Sequence, residues 1–442
     1  MIKQTSNQIE LGFSPLFKEQ LNLKHPLCRL ADEIRWKDFD IAFAKHYSTS
    51  MGKPSKPIRL MVSLLILKQL RNLSDESVVE QWSENVYYQY FSGLIQFSIS
   101  RPCVPTELVE FRKRIGTEGI ELIFKESIRV NGKDSEDDNL SADTTVQEKN
   151  ITFPTDDKLY KKVINECRNI AQKENIDLRQ TYVRSVGKLS RLQRFKNTKH
   201  GAKKARMASK KIKTIAGRLV RELNRKLPSD VLTKYSSTLD IYQKVMSQKR
   251  SDSNKIYSIH EPEVKCYTKG KEHKKYEFGS KVSILVTQNT GVIVGAMNFN
   301  STEHDSKTIE KAINQYEKLT GKTAKNAFVD RGYRGVTKVN QTNILVPKSN
   351  PKITKEQRKG HSRRSAIEPV IGHLKRNYRM GRNFLKGIKG DEINVLLSAA
   401  AMNFKRVINL WSSEAIYRWK LILKIILDAY QSFIAQNLSM TF

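Results

Sequence analysis

"KVSILVTQNTGVIVGAMNF", residues 281–299, decides the fold class. Two apolar runs, 281–287 and 291–299, are joined by Gln-Asn-Thr-Gly and predict a hairpin. Immediately downstream, "DSKTIEKAINQYEKLTG" (305–321) has a capped start at Asp305 or Ser306 and a glycine stop at Gly321, and so predicts a helix. "NAFVD" (326–330) and "NILVPK" (343–348) are short apolar runs of buried parallel-strand type. A helix beginning near "RRSAIEPVIGHLKR" (363–376) closes the series. Upstream, "LSADTTVQEKNITF" (140–153) carries the β-branched residues and alternation of a strand or hairpin. Between that strand and the hairpin, 157–250 is helical in pattern: Ile212, Ile215, Leu219, Leu223 and Leu227 recur at three- and four-residue steps. Strands alternating with helices imply an α/β sheet with helices on its faces.

The first 135 or so residues read as helical throughout. In "PIRLMVSLLILKQLRNLSDESVVEQWSENVYYQYFSG" (57–93), Pro57 suits a first helical position, and the helix it opens is apolar on nearly every side, hence buried. "NLSDE" ends it, with Ser74 or Asp75 capping a second helix that runs to about Phe91. Helix, short turn, helix is the shape of many DNA-reading modules, and equally of two helices that merely pack. "YYQYF" (87–91) fits core better than base stacking. "NGKDSEDDN" (131–139) reads as a polar, acidic linker in which Asp137 and Asp138 stay solvated.

Charge narrows the partner. The chain has 442 residues, with 79 Lys plus Arg against 45 acids, a net charge of +34. That excess repels itself unless a polyanion relieves it, and neutralising nucleic-acid phosphates also releases counterions. Between Arg184 and Lys226 stand sixteen Lys/Arg and one acid, Glu222, whereas a merely solvated helix face mixes signs. A membrane partner fits poorly. The greasy segment 416–436 is interrupted by Arg418, Lys420, Lys424 and Asp428, and reads as a packed helix rather than a span. The N-terminal residues lack a secretory h-region. Cys28, Cys103, Cys167 and Cys266 lie far apart with no C-x-x-C pair, which excludes the usual zinc spacings and points to a reducing, intracellular setting. No P-loop pattern occurs, so no nucleotide cofactor is expected. His260 with Glu261, His273, and His304 with Asp305 read as surface or turn chemistry.

The chemistry-bearing residues are acids. Asp143 sits on the first strand, where an inward carboxylate is costly unless it binds a cation, and Asp330 follows Ala327, Phe328 and Val329 at a strand end. Ligand sites in open α/β sheets gather beyond the carboxyl ends of strands. Glu368 is the one carboxylate in 363–376, among Arg363, Arg364, Lys375 and Arg376. A helical Arg364–Glu368 pair would contribute only about 0.2–0.5 kcal/mol. A divalent metal on the acid, with the bases on a phosphate, explains the pattern better. Either alone, Asp143 or Asp330 is more often a turn former or cap; three acids on strand, strand and helix in a +34 chain make a joint pattern. Pro369 disfavours helical geometry at Glu368, so a helix either starts there or kinks.

"LSADTT", "FVDRGYRG" and "RRSAIEPVIGHLKR" resemble the three acidic motifs of bacterial insertion-sequence DDE transposases, most closely the insertion sequence five family. Residues 10–125 are similar to that family's helical N-terminal domain, and "HEPEVKCYTKGKEHKKYEFGSKVSILV" (260–286) is also typical of it. Around the third acid, Arg364, Glu368 and Lys375 match the superfamily signature Tyr-x2-Arg-x3-Glu-x6-Lys, with His361 in the tyrosine position. The resemblance implies a ribonuclease-H-like mixed sheet flanked by helices, an all-α N-terminal DNA-binding domain (1–135), a catalytic domain (136–156 plus 255–390), a basic helical insertion (157–254) and C-terminal helices (391–442). It implies Asp143, Asp330 and Glu368 as catalytic metal ligands for two Mg²⁺ ions, with Mn²⁺ able to substitute. Arg364 and Lys375, with His361, Arg331 and Arg334, would hold DNA phosphates. The implied function is DNA recombination by transposition. Element ends are bound and cleaved by hydrolysis, and the 3′-hydroxyls are joined to target DNA. The partners are terminal inverted repeats and target DNA, with a homodimer on DNA and a cytoplasmic, nucleoid-associated location. A ribonuclease-H-like nuclease without strand transfer, or a non-catalytic relic, are the alternatives. Which module reads the ends stays open.

Overall fold

The structure is a computed structural model that describes residues 16–48, 54–249, 251–268, 275–347 and 354–439, with side chains of the last helix as far as residue 413. The strands are β1 (Asn139–Glu148), β2 (Lys265–Thr268), β3 (Tyr276–Thr287), β4 (Ile293–Phe299), β5 (Asn326–Phe328), β6 (Lys338–Val339) and β7 (Thr342–Leu345). They form one mixed sheet in the order β2–β3–β1–β5–β7–β6, with β4 also on β3. β1 is antiparallel to β3 and parallel to β5, and β5 is parallel to β7. β3 and β4 are the hairpin of the opening stretch. β1 is a single strand, which resolves the choice between strand and hairpin.

Helices α1 (Phe17–Gln20), α2 (Pro26–Glu33), α3 (Trp36–Ala44), α4 (Ile58–Leu70), α5 (Asp75–Glu84), α6 (Val86–Phe91) and α7 (Pro105–Val130) precede the sheet. α8 (Asp156–Lys173), α9 (Val183–Gln193), α10 (Ala202–Lys226) and α11 (Ser229–Ser247) lie between β1 and β2. α12 (Ile309–Thr320), α13 (Lys355–Arg364), α14 (Ile367–Asn377) and α15 (Gly387–Ser439) complete the chain.

Two cores result. One runs without interruption from the N-terminal helices through the sheet to α15, and includes Leu65, Phe124, Ala142, Ile284 and Phe404. The other belongs to α8–α11 and is built on the forecast stripe Ile212, Ile215, Leu219, Leu223 and Leu227. Tyr88, Gln89 and Phe91 are buried, so "YYQYF" is largely core. A buried amide chain crosses the larger core. Gln69 Nε2 lies 2.9 Å from the Tyr378 carbonyl and 3.2 Å from Asn394 Oδ1, and Asn394 Nδ2 donates to Gln147 Oε1 at 2.7 Å. Such satisfied networks in low dielectric fix one arrangement of the elements that they join. Here they lock α4 and α15 to β1.

Four expectations change in detail. The helix forecast from Ser74 to Phe91 is two helices, because Asn85 takes an extended conformation and caps α6 through Tyr88 N at 3.1 Å. The helix forecast from Asp305 begins with a 3-10 turn, Asp305–Lys307, and α12 starts at Ile309; Gly321 at φ 69° ends it as forecast. Residues 131–139 are not a loose linker: Arg406 pairs with Asp134 at 2.8 Å, Lys325 with Asp138 at 2.6 Å, and Asp137 accepts from Asn289 N at 2.8 Å. The helix near residue 363 breaks at Ser365 and Ala366 into α13 and α14, placing Pro369 in the first turn of α14. His273 lies outside the described residues, as do the side chains of 416–436. Among the described residues, no helix is long and apolar enough to cross a membrane.

α13 reaches the sheet at Gly360, where a methyl group would overlap the Phe328 ring. The absence of a Cβ is therefore what lets this helix lie against β5. Gly360→Ala is expected to destabilise the fold by about 1–3 kcal/mol, as overpacking does. Denaturant unfolding checks this, and an unchanged midpoint would remove the close approach as a constraint.

Candidate catalytic site

The parallel pairing of β1 with β5 sets Leu140 beside Ala327 and Ser141 beside Phe328. Two residues further along each chain stand Asp143 and Asp330. Asp143 is still within β1. Asp330 lies just past Val329, whose N–H is held by the Leu345 carbonyl at 3.1 Å. Asp143 thus lies midway along β1, at the level where the neighbouring strand β5 has ended and Asp330 follows. Asp330 also caps the 3-10 turn Arg331–Tyr333, accepting from Gly332 N at 2.9 Å. The ordinary role of a strand-end aspartate is thus filled by this side chain.

The buried Tyr333 reports how acidic this corner is. Burial, then the charges of Asp143, Asp305 and Asp330, push its phenol well above the ordinary tyrosine range. Asp305 is a functional candidate that the sequence reading took only for a cap. Its Oδ1 accepts from Thr144 Oγ1 and from Lys281 Nζ, each at 2.8 Å. The available signal was Lys281 itself, a lysine within an apolar strand that needs a partner if it is covered.

α13 and α14 bring the basic motif to this corner. Arg364, the last residue of α13, puts Nη1 3.8 Å from Asp143 Oδ2, with both side chains about one-fifth exposed. The helical Arg364–Glu368 pairing weighed from sequence is absent, because the helix break separates the two residues. Gln288, from the hairpin turn, fastens α13 to β1 by donating to the Gly360 carbonyl and to Ser141 Oγ, each at 3.0 Å. His361 meets Phe328 edge to face with ring centroids 5.2 Å apart. Burial, then Arg364, lower its pKa, so its imidazole is neutral at neutral pH. Glu368 is solvent-exposed in the first turn of α14, and Lys375 lies in the last turn. Arg331 and Arg334 are exposed beside Asp330.

Among the described residues, no three His, Cys, Asp or Glu side chains stand close enough together to hold a metal ion. The structure brings Asp143 and Asp330 to one corner and leaves Glu368 on the helix beside it. The corner itself suits a hard cation. Its donors are carboxylate oxygens, and their charges converge on one buried phenol. The other metal-like pairs are structural: Glu261 pairs with Lys149 at 3.4 Å, and His304 caps the Asp305 turn.

The helices differ sharply in charge. The exposed positions of α5 include Glu76, Glu80 and Glu84, which repel phosphate. α10 buries its apolar stripe and exposes Lys203, Lys204, Lys210, Lys211, Arg218 and Arg221.

Two family models match the chain, a transposase domain (DUF772) over residues 15–114 and a transposase DDE domain over residues 253–404. The chain is also similar to an uncharacterized protein of Rhizobium meliloti, ORF8 in the nfe locus. The two are 39% identical over 182 residues, which spans 39% of this chain and 87% of that protein. No solved structure matches the chain.

Arg364 places a competing positive charge against Asp143. Arg364→Ala should shift stability by less than about 1 kcal/mol, as for other partly exposed pairs. In the DNA-free protein it should also tighten Mn²⁺ binding. Calorimetric titration reads this, and weaker binding in the variant would show that Arg364 shapes the corner rather than competing in it.

Proposed function

The chain belongs to the DDE transposases of insertion sequences, and on that premise we propose that Asp143, Asp330 and Glu368 are its three acidic catalytic residues. As a DDE transposase it is an enzyme that acts on DNA with divalent metal ions. The observation that supports the assignment is the β1–β5 register, Ser141 beside Phe328 with an aspartate two residues on in each chain, together with Arg364 against Asp143. Glu368 completes the set from α14, which packs on β1.

The three carboxylates would hold Mg²⁺, with Mn²⁺ as a substitute; a bound pair of ions supplies polarisation of the scissile phosphate and activation of the attacking oxygen. The chain's own groups do the rest. Arg364, at the end of α13, is poised to exchange Asp143 for a phosphate oxygen when DNA arrives, and Lys375 stands two turns beyond Glu368 as a second phosphate contact. Both donate to the non-bridging oxygens, where charge builds as the phosphodiester is displaced. Arg331 and Arg334 extend this positive rim from the Asp330 turn, and His361 contributes an imidazole whose pKa burial and Arg364 lower in the DNA-free chain. Element ends are cleaved by hydrolysis, and the freed 3′-hydroxyls then attack target DNA. Joining two ends calls for a dimer on DNA.

Asp143→Ala, Asp330→Ala and Glu368→Ala are each expected to lower cleavage of end-bearing DNA by at least about a hundredfold while binding survives. Retained Mg²⁺-dependent nicking by any one of them would remove that residue from the site.

Duplex DNA docks on the basic face of α10 rather than on α5. Complementarity of charge supports this, since α5 exposes Glu76, Glu80 and Glu84 whereas α10 exposes lysines and arginines. Changing Lys203, Lys204, Lys210 and Lys211 to Gln should flatten the salt dependence of DNA binding. The log–log slope should fall by about 0.9 for each phosphate that is no longer neutralised. An unchanged slope, with the fold intact by circular dichroism, would place the docking surface elsewhere.

A further inference from the structure

We infer that Asp305 is a positioning residue for the catalytic corner, setting the approach of Asp143 to Asp330. The inference rests on the assignment of those two acids proposed above, and nothing in the DDE motif set includes Asp305. The residue lies in the turn that leads into α12, outside the two strands whose side chains it binds.

Its carboxylate ties together the parts on which the corner is built. Oδ1 takes a hydrogen bond from Thr144 Oγ1 at 2.8 Å, and Thr144 is the neighbour of Asp143 on β1. The same oxygen takes Lys281 Nζ from β3 at 2.8 Å, and that ammonium is held in turn by the Glu303 carbonyl at 2.6 Å. Oδ2 faces the turn that follows β5. A methyl group added at Gly332 would stand 3.0 Å from Asp305 Oδ2 and 3.0 Å from Asp330 Oδ1. The two carboxylates thus lie close to the same backbone point, where a Cβ would be tight against both. The Asp305 carbonyl accepts from Thr308 Oγ1 at 2.7 Å, which fixes the turn that presents the carboxylate.

The Oδ1 of Asp305 is not available to a metal ion in this arrangement. It is committed to an ammonium and a hydroxyl, and a cation placed there would have to displace Lys281. What the residue supplies is geometry: one carboxylate joins β1 to β3 and lies against the turn that carries Asp330. Groups that orient ligands in this way typically change metal affinity by about 10–100-fold when removed.

The test uses the DNA-free full chain and Mn²⁺ alone, followed by electron paramagnetic resonance. Asp305→Asn keeps the shape and loses the charge, and it is expected to weaken Mn²⁺ binding at least about tenfold. Thr144→Val removes one bond to Asp305 without altering any charge. It should weaken binding in the same direction by less, and Asp305→Glu should recover part of the loss. Asp143→Asn is the control. If Asp143→Asn abolishes Mn²⁺ binding while Asp305→Asn and Thr144→Val leave it unchanged, the positioning role is overturned and the catalytic assignment stands. A lower melting temperature with unchanged Mn²⁺ affinity overturns it equally, because Asp305 would then serve only the fold. If Asp143→Asn itself leaves binding unchanged, the corner is not the cation site and the inference falls with that assignment.

Discussion

The parallel register between β1 and β5 is the constraint on which the rest depends. Ser141 pairs with Phe328, so the next side chains of the same alternation are Asp143 on β1 and Asp330 just past the end of β5. A slip of one residue would turn Asp143 away from its partner and carry Ala142 out of the core, where it is fully buried. The hydrophobic alternation that holds the sheet together therefore also sets the acids together. Neither carboxylate needs a dedicated scaffold, because the requirement to bury Leu140, Ala142 and Ala327 already places both.

The basic motif reaches the same corner through a break. A helix running on from Lys355 cannot pass Pro369, whose ring fits only a first turn, so α13 ends at Arg364 and α14 begins at Ile367. The break frees Arg364 from its helical neighbour Glu368 and turns it toward Asp143. It also leaves Glu368 and Lys375 at opposite ends of one short helix. Gly360 sets the height of α13 over the sheet, and Gln288 fastens it to β1. Acid and base in the basic motif are thus separated by backbone geometry rather than joined by it.

Much of this was legible in the sequence, and the reasons for the rest are physical. The hairpin, the two short parallel strands and the basic helical stretch carry strong periodicity, and all are present. Asp143 and Asp330 were legible only as part of a joint pattern with Glu368 in a +34 chain, since either aspartate alone reads as a turn former or cap. Asp305 was not, because its partners, Thr144 and Lys281, are remote in sequence and no local pattern distinguishes such a carboxylate from a helix cap. The split at Asn85 was missed because apolar periodicity continues across it while one side chain caps the next helix. The unbroken core from α4 to α15 was likewise hidden. Gln69, Gln147 and Asn394 each look like a surface amide until they are seen bonded to one another. That network makes the N-terminal helices part of the body that carries β1 rather than a tethered module.

The central claim is that Asp143 and Asp330 form one cation-binding corner. Anomalous diffraction at the manganese edge, from crystals soaked in Mn²⁺, tests it most directly. The expected result is a peak bonded to oxygens of both aspartates at about 2.0–2.6 Å. A peak held by other acids, with these two carboxylates pointing away from each other, would contradict it.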